Sequence, residues 1–92
     1  MIRTFRHRGL KQLFLNDDSS LLDHRIVGPI TLILDALDAI DTVQEMNYQG
    51  NYLHELKGAR KGTWSVRVSG NWRITFRFEG GDAWDVNLED YP

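Results

Sequence analysis

The side chains of this chain that are best suited to binding or catalysis lie between Leu56 and Phe78. That stretch contains no acidic residue and six basic ones: Lys57, Arg60, Lys61, Arg67, Arg73 and Arg77. Clustered cations create a local positive field that attracts polyanions, and arginine can hold a phosphate through two parallel hydrogen bonds. The stretch therefore predicts a surface that binds nucleic acid, provided that the fold brings these side chains onto one face.

The formal net charge of -2 hides a strong separation of signs along the chain. Residues 1–16 hold four bases and no acid, residues 17–55 hold eight acids and one base, and residues 79–92 hold five acids and no base. Separation of this kind predicts a basic face and an acidic remainder. The alternative is that the charges mix again once the chain folds.

The basic residues are carried by segments that alternate apolar and polar residues, the period of half-buried strands. Residues 63–69 place their apolar side chains on one face and Arg67 on the other, and residues 71–78 do the same for Arg73 and Arg77. Residues 84–91 continue the alternation. We therefore expect an antiparallel sheet with an apolar inner face and an arginine-bearing outer face.

The first hairpin is expected to turn through a three-residue loop, Ser69-Gly70-Asn71, because cross-strand partners must share a face. This register pairs Val68 with Trp72 and Val66 with Ile74, and it places Arg67 directly opposite Arg73. Like charges in that position are destabilising unless something lies between them. Glu89 could bridge the two arginines, or a bound anion could do so.

The second hairpin is expected to turn through Gly80-Gly81-Asp82. The predicted inner-face pairs are Phe78 with Trp84, Phe76 with Val86 and Ile74 with Leu88. On the outer face Arg77 pairs with Asp85 and Arg73 with Glu89, so Arg77 has a structural partner. The strand phase near His54 is ambiguous, and the pattern alone does not place His54 on the arginine face.

The N-terminal half predicts two helices that pack on the sheet. Residues 2–5 could form a short first strand, and a short helix from Gly9 to Leu15 follows. The main helix carries one apolar stripe, interrupted by Pro29, which either delays the start of the regular helix to Gly28 or kinks it. Residues 47–51 read as a loop. The stripe consists of Ile26, Ile30, Ile33, Leu34, Leu37 and Ile40.

The composition narrows the class of protein. Ninety-two residues predict one domain over residues 1–92. The absence of cysteine excludes thiolate metal sites and suits a cytoplasmic location. No apolar run approaches a membrane span, and the three histidines show no metal-ligand spacing. We expect neither a metal nor a cofactor.

Four motifs stand in order along the second half of the chain: Leu53-His54-x-Leu56-Lys57-Gly58, Trp64-Ser65-Val66-Arg67-Val68, Asn71-Trp72-Arg73-Ile74 and Glu89-Asp90-Tyr91. Together they resemble the HigB toxins of bacterial toxin–antitoxin pairs, which belong to the RelE superfamily. The resemblance covers nearly the whole chain and is weakest over residues 17–52. It implies an α+β, RelE-like compact domain in which a twisted antiparallel sheet has two helices from the N-terminal half packed on one face.

The resemblance implies a ribosome-dependent endoribonuclease that needs no metal. The RNA 2′-hydroxyl attacks the adjacent phosphate of mRNA in the ribosomal A site, which stops translation. In this reaction one proton is removed, another is delivered, and charge on the phosphorane is stabilised. The positions carried over as catalytic are His54, Lys57, Arg67, Arg73, Asp90 and Tyr91, and those expected to bind RNA are Arg60, Lys61 and Asn71.

The resemblance also implies partners. These are a HigA-type helix-turn-helix antitoxin, the small ribosomal subunit with its mRNA, and operator DNA reached indirectly through the antitoxin. No membrane is implied.

One departure from the family concerns the last residue. The family's chains commonly end in Asp-Tyr-His, whereas this chain ends Asp90-Tyr91-Pro92. Proline carries no side-chain proton, so the chain could be an attenuated variant, or His54 could suffice. Two other functions stay open: a ParE-like inhibitor of DNA gyrase, and a binder of ribosome or antitoxin without catalysis.

Overall fold

The computed structural model describes residues 1–48 and 50–90. Two helices precede a four-stranded antiparallel sheet whose strands are ordered β1-β2-β3-β4. Short 3-10 turns occupy Val43–Met46 and Gly58–Arg60. The helices are α1 (Arg8–Asn16) and α2 (His24–Ala39), and the strands are β1 (His54–Glu55), β2 (Thr63–Ser69), β3 (Trp72–Glu79) and β4 (Asp82–Asp90).

Helix α1 begins at a histidine cap. The Nδ1 atom of His7 accepts hydrogen bonds from the backbone N–H groups of Gly9 at 3.0 Å and Leu10 at 3.3 Å. Burial lowers the pKa of His7 from its ordinary value, which keeps the ring neutral and Nδ1 free to accept. The helix ends at Asp17, whose backbone is left-handed with φ of 55°. The predicted short helix is confirmed.

Helix α2 begins at His24, four residues before Gly28, because the Asp23 side chain accepts a hydrogen bond from the Arg25 backbone N–H. Pro29 lies inside this helix, so of the two alternatives the delayed start at Gly28 is excluded. Proline removes one backbone donor there, and the rest of the helix is held by its packing.

The apolar stripe of α2 forms the centre of the core against the inner face of the sheet. All six predicted stripe residues are buried, together with Leu10 and Leu13 of α1. Helix α2 contacts β2 and β4, and α1 contacts β4. The predicted architecture of two helices on one face of an antiparallel sheet is confirmed. No helix among residues 1–48 and 50–90 is both long and apolar enough to cross a membrane.

The first hairpin confirms the Arg67–Arg73 pair and corrects the turn. Arg67 lies opposite Arg73, and Val66 opposite Ile74. However, Ser69 lies opposite Trp72, so the predicted pairing of Val68 with Trp72 is wrong. The turn has two central residues, with Gly70 at φ of 54°. The extra residue in β2 forms a bulge that restores the correct face for Arg67.

The second hairpin differs from the prediction in the same way. Ile74 opposes Leu88 and Arg73 opposes Glu89, as predicted. Phe78 instead opposes Ala83, and Arg77 opposes Trp84, so the pairs Phe78–Trp84 and Arg77–Asp85 are wrong as backbone partners.

The physical reason is again a tight turn followed by a bulge. Gly80 and Gly81 have φ of 60° and 79°, which a two-residue hairpin turn requires. Asp85, at φ of 55°, then takes up the register shift. Its carboxylate still reaches the Arg77 guanidinium at 3.0 Å, so the predicted neutralisation of Arg77 is confirmed at the side chains.

The first residues of the chain pair with β4 without forming a full strand. Ile2 and Phe5 make isolated parallel bridges to Ala83 and Val86. The Asp85 backbone N–H donates to the Thr4 hydroxyl at 2.8 Å, within the bulge. The predicted strand over residues 2–5 is thus reduced to two bridges on the free edge of β4.

Candidate active site

The arginine pair lies on the face of the sheet opposite the helices. Arg73 Nη1 donates to the Gly70 carbonyl oxygen at 2.8 Å, and Arg67 Nε donates to the same oxygen at 3.4 Å. Within the described part of the chain, neither guanidinium forms an ion pair. Arg73 Nη1 also donates to the Trp72 carbonyl oxygen at 3.1 Å. These carbonyl dipoles carry no full negative charge, so an anion between the two guanidinium groups would be stabilised.

His54 joins this face through the register of β1. It lies directly opposite Ser65, and Ser65 shares a face with Arg67 two residues further along β2. The structure thus resolves the strand phase that the sequence pattern left open. The His54 side chain is exposed to solvent.

A backbone carbonyl orients the His54 ring. His54 Nδ1 lies 3.2 Å from the Tyr52 carbonyl oxygen. A carbonyl oxygen only accepts, so this contact is a hydrogen bond when the ring proton is on Nδ1. That tautomer leaves Nε2 with a lone pair that can take a proton from a substrate hydroxyl.

Tyr52 completes the same depression, which is lined by Tyr52, His54, Arg67 and Arg73. The Arg67 guanidinium carbon lies 5.7 Å from the centroid of the Tyr52 ring, within the range of a cation–π contact. Sequence reasoning missed Tyr52, because it precedes the alternating segments in a polar loop. Only its position two residues before His54 could have drawn attention to it.

The segment after β1 brings further cations to the edge of the site. Lys57 shares a neighbouring depression with His54 and Arg60. Lys57 and Lys61 are exposed, and among the described residues neither forms an ion pair. These two lysines are free to meet a polyanion.

Arg60 is held by an acidic residue of β4. Its guanidinium donates two hydrogen bonds to the Glu89 carboxylate, at 2.9 and 2.6 Å. The Thr75 hydroxyl also donates to Glu89. These bonds, those from Arg60 first, hold the pKa of Glu89 below its ordinary value. Glu89 lies opposite Arg73 in the sheet, yet its carboxylate does not bridge the arginine pair.

Asp90 and Asn71 lie in a different depression. Asp90 opposes Trp72 at the end of β4, on the face that the helices cover. Asp90 and Asn71 line a groove with Asp23 and Arg25 at the start of α2. The structure therefore brings His54, Arg67 and Arg73 together and places Asp90 apart from them. Tyr91 and Pro92 lie outside the described residues.

The other two histidines have positions of their own. His7 caps α1, and His24 is the first residue of α2. In residues 1–48 and 50–90, no group of three or more His, Cys, Asp or Glu side chains is arranged to hold a metal ion.

Comparison with known proteins adds two findings. The family model described as the RelE-like toxin HigB of type II toxin–antitoxin systems matches residues 3–91. The Endoribonuclease HigB of Proteus vulgaris is 46% identical to the chain over 91 residues, which cover 99% of each sequence.

Proposed function

This chain belongs to the HigB-like family of RelE-like toxins of type II toxin–antitoxin systems, and on that premise we propose that it is a ribosome-dependent endoribonuclease. Its substrate is mRNA in the ribosomal A site, and the cut stops translation. The observation that supports this function best is the shared, solvent-open depression of His54 with the Arg67–Arg73 pair. A proton acceptor thus lies next to two cations that have no anionic partner among the described residues.

The proposed reaction begins with proton transfer to His54. Nε2 of the Nδ1-protonated tautomer accepts the proton of the RNA 2′-hydroxyl. The 2′-oxygen then forms a bond to the adjacent phosphorus, and the bond from phosphorus to the 5′-oxygen breaks. The products are a 2′,3′-cyclic phosphate and a 5′-hydroxyl, once the leaving oxygen has received a proton. Tyr91 is the proposed donor of that proton, because Asp90 lines a different depression from His54 and the arginine pair.

Arg67 and Arg73 stabilise the charge that develops during the attack. The non-bridging oxygens of the phosphorane carry more negative charge than those of the starting phosphate, so preorganised cations favour the transition state. Lys57 adds a third cation beside His54. Because these side chains supply proton transfer and charge stabilisation, the proposed reaction proceeds without a metal.

Membership of a type II toxin–antitoxin family implies an antitoxin as partner. We propose that this partner is a HigA-type helix-turn-helix protein that links the toxin indirectly to operator DNA. The remaining partners are the decoding site of the small subunit and its mRNA, which lie in the cytoplasm. Lys61 and Asn71 are proposed RNA contacts, whereas Arg60 contributes through its pairing with Glu89.

The direct test is cleavage of mRNA on programmed ribosomes by the chain, by His54→Ala and by His24→Ala as a control. His24 is also exposed but starts α2, so its loss should leave cleavage unchanged. His54→Ala should abolish cleavage. Equal cutting by both variants would remove His54 from the reaction.

The terminal proline is tested in the same assay with Pro92→His. If His54 suffices, the chain and Pro92→His both cut. If only Pro92→His cuts, the chain is an attenuated toxin with the proposed target. If no form cuts and the chain instead inhibits supercoiling by gyrase, the ribonuclease assignment is wrong.

A separate binding measurement tests the arginine pair. We expect Arg67→Gln to weaken RNA binding and to reduce the slope of log K against log salt by about 0.7–1. Arg3→Gln is the matched control, since Arg3 is held by Asp82 at 2.9 Å and does not line the depression of the arginine pair. An unchanged slope for Arg67→Gln would argue against a phosphate contact there.

A further inference from the structure

We propose that Tyr52 forms a nucleobase-stacking subsite beside the arginine pair. This inference rests on the proposed ribonuclease function and names the group that holds a base next to the reacting phosphate. Three observations support the inference. The Tyr52 ring is exposed, the backbone that carries the ring is fixed by its neighbours, and the ring lies beside His54, Arg67 and Arg73.

The Tyr52 ring is available to a ligand. Tyr52 is 64% exposed, although its ring lies against the Arg67 guanidinium. The guanidinium occupies one side of the ring and leaves aromatic surface open to solvent. Aromatic rings that are fixed and exposed beside cationic grooves serve as stacking platforms for single-stranded nucleic acids. The Arg67–Tyr52 contact therefore joins a phosphate-binding group to a base-binding group.

The backbone that carries the ring is held in place by its neighbours. Asn51 is 4% exposed, and its side-chain amide donates to the Met46 carbonyl oxygen at 2.7 Å. The Asn51 carbonyl oxygen accepts from the Arg67 backbone N–H at 2.8 Å, which fastens the loop to β2. Tyr52 itself has φ of 51°, a left-handed conformation that non-glycine residues seldom adopt.

Strain of this kind persists only where surrounding contacts fix the backbone, and it concentrates at functional sites. Here the left-handed turn directs the Tyr52 carbonyl oxygen to His54 Nδ1, 3.2 Å away, and the ring to Arg67. One backbone conformation thus positions the proton acceptor and the stacking surface together. A base stacked on the ring has its phosphate within reach of the arginine pair.

The subsite should accept any base. Stacking uses the flat π-surface that every nucleobase has, so it contributes affinity with little sequence preference. A tyrosine ring shares this surface with phenylalanine and tryptophan but not with leucine. The variants Tyr52→Phe, Tyr52→Trp and Tyr52→Leu therefore separate stacking from bulk. Each has the same kind of Cβ and so meets a similar strain at φ of 51°.

The first readout is cleavage on programmed ribosomes. We expect Tyr52→Leu to lose about 5- to 150-fold in kcat/KM, the range for removing one base–aromatic stack. Tyr52→Phe and Tyr52→Trp should stay close to the unmodified chain. Tyr48→Leu is the control for loss of an exposed tyrosine, since Tyr48 is 45% exposed and does not line this depression.

The second readout does not depend on cutting. The probe is a message whose A-site codon contains 2′-deoxynucleotides, which cannot attack, and one 2-aminopurine placed at each codon position in turn. Stacking on an aromatic ring quenches the fluorescence of this base. The chain and its Phe and Trp variants should quench one position on the ribosome, and Tyr52→Leu should not.

The two readouts distinguish the subsite from the ribonuclease function. If the chain cuts and Tyr52→Leu cuts and quenches equally well, the subsite is refuted and the ribonuclease stands. If no form cuts but quenching requires an aromatic residue at position 52, the stacking subsite is supported and the ribonuclease function is refuted. Should Tyr52→Leu fold poorly by circular dichroism, Tyr52→Asn replaces it, since asparagine tolerates the left-handed backbone. Quenching by Tyr52→Asn would then overturn the proposal.

Discussion

Glu89 offers the sharpest test of how the outer face is built, through the substitution Glu89→Gln. Its carboxylate accepts two hydrogen bonds from Arg60 and one from Thr75. Glutamine has nearly the same shape and retains one oxygen acceptor, so the substitution removes the charge and one acceptor with little change in packing. We expect a lower melting temperature without loss of the fold.

The magnitude follows from the exposure of the partners. The Arg60 side chain is 42% exposed, so solvent screens its ion pair with Glu89, which contributes at most about 1 kcal/mol. Thr75 is 2% exposed, and its bond changes from charge-assisted to neutral, a loss of about 1 kcal/mol. The free energy of unfolding should fall by about 1–2 kcal/mol, which lowers Tm by roughly 5–15 °C in a domain of this size.

The stabilisation by Glu89 should also depend on pH with a definite sign. Its pKa is lowered from the ordinary value of 4.5, first by the bonds from Arg60. A carboxylate with a lowered folded pKa stabilises the protein fully above its unfolded pKa and loses that effect as pH falls through the folded value. The difference in Tm between the chain and Glu89→Gln should therefore be constant from pH 7 to about 5 and close below pH 4.5.

The assay is thermal unfolding followed by circular dichroism, with Glu79→Gln as the matched control. Glu79 also pairs with an arginine, Arg77, at 2.8 Å, but its side chain is 65% exposed. Its loss should change Tm far less. If Glu89→Gln and the unmodified chain have the same Tm at pH 7, the assigned contacts do not stabilise this face. The same conclusion follows if the difference in Tm increases as the pH is lowered.

Three further predictions concern the remainder of the fold. Because burial lowers the pKa of His7, the stabilisation by its neutral ring is complete above pH 6.5 and is lost as the pH falls below that value. Asparagine caps a helix without titrating, so the Tm of His7→Asn should change less between pH 7 and pH 5 than the Tm of the unmodified chain. Leu37→Ala should cost about 2–5 kcal/mol in urea unfolding because Leu37 is 0% exposed, whereas Leu32→Ala, at 71% exposed, should cost far less. Gly81→Ala, at φ of 79°, should cost about 1–2 kcal/mol in the same measurement.

The sequence predicted the elements of this fold better than their junctions. Strand alternation and the apolar stripe of α2 identify which side chains share a face, and the core follows from them. Neither pattern reports a bulge, because one extra residue in a strand leaves both neighbouring runs alternating. The predicted pairings of Val68 with Trp72 and of Phe78 with Trp84 are wrong for this reason. The predicted pairing of Arg67 with Arg73, which lies beyond the bulge, is confirmed.

The sequence predicted which basic residues belong to the candidate site, but it did not predict how the side chains of the site are arranged. Lys57, Arg67 and Arg73 stand out by charge and by motif, but only the register of β1 placed His54 beside them. Arg60 looked like its neighbours in sequence, and its pairing with Glu89 spans 29 residues, beyond any local pattern. The position of the Tyr52 ring depends on a left-handed backbone conformation, which the sequence of a polar loop does not predict.

The bridges from Ile2 to Ala83 and from Phe5 to Val86 bear on the order in which the chain acquires its structure. Strands β2 to β4 follow one another through tight turns, so their contacts are local and quick to form, whereas these bridges close a loop of most of the chain. Their β4 partners are made after both helices and the other three strands. The nascent chain therefore lacks Glu89, the anchor of Arg60, while most of it has already been synthesised. The ion pair that holds Arg60 on the outer face can therefore form only after β4 has been made, later than the arginine pair of β2 and β3.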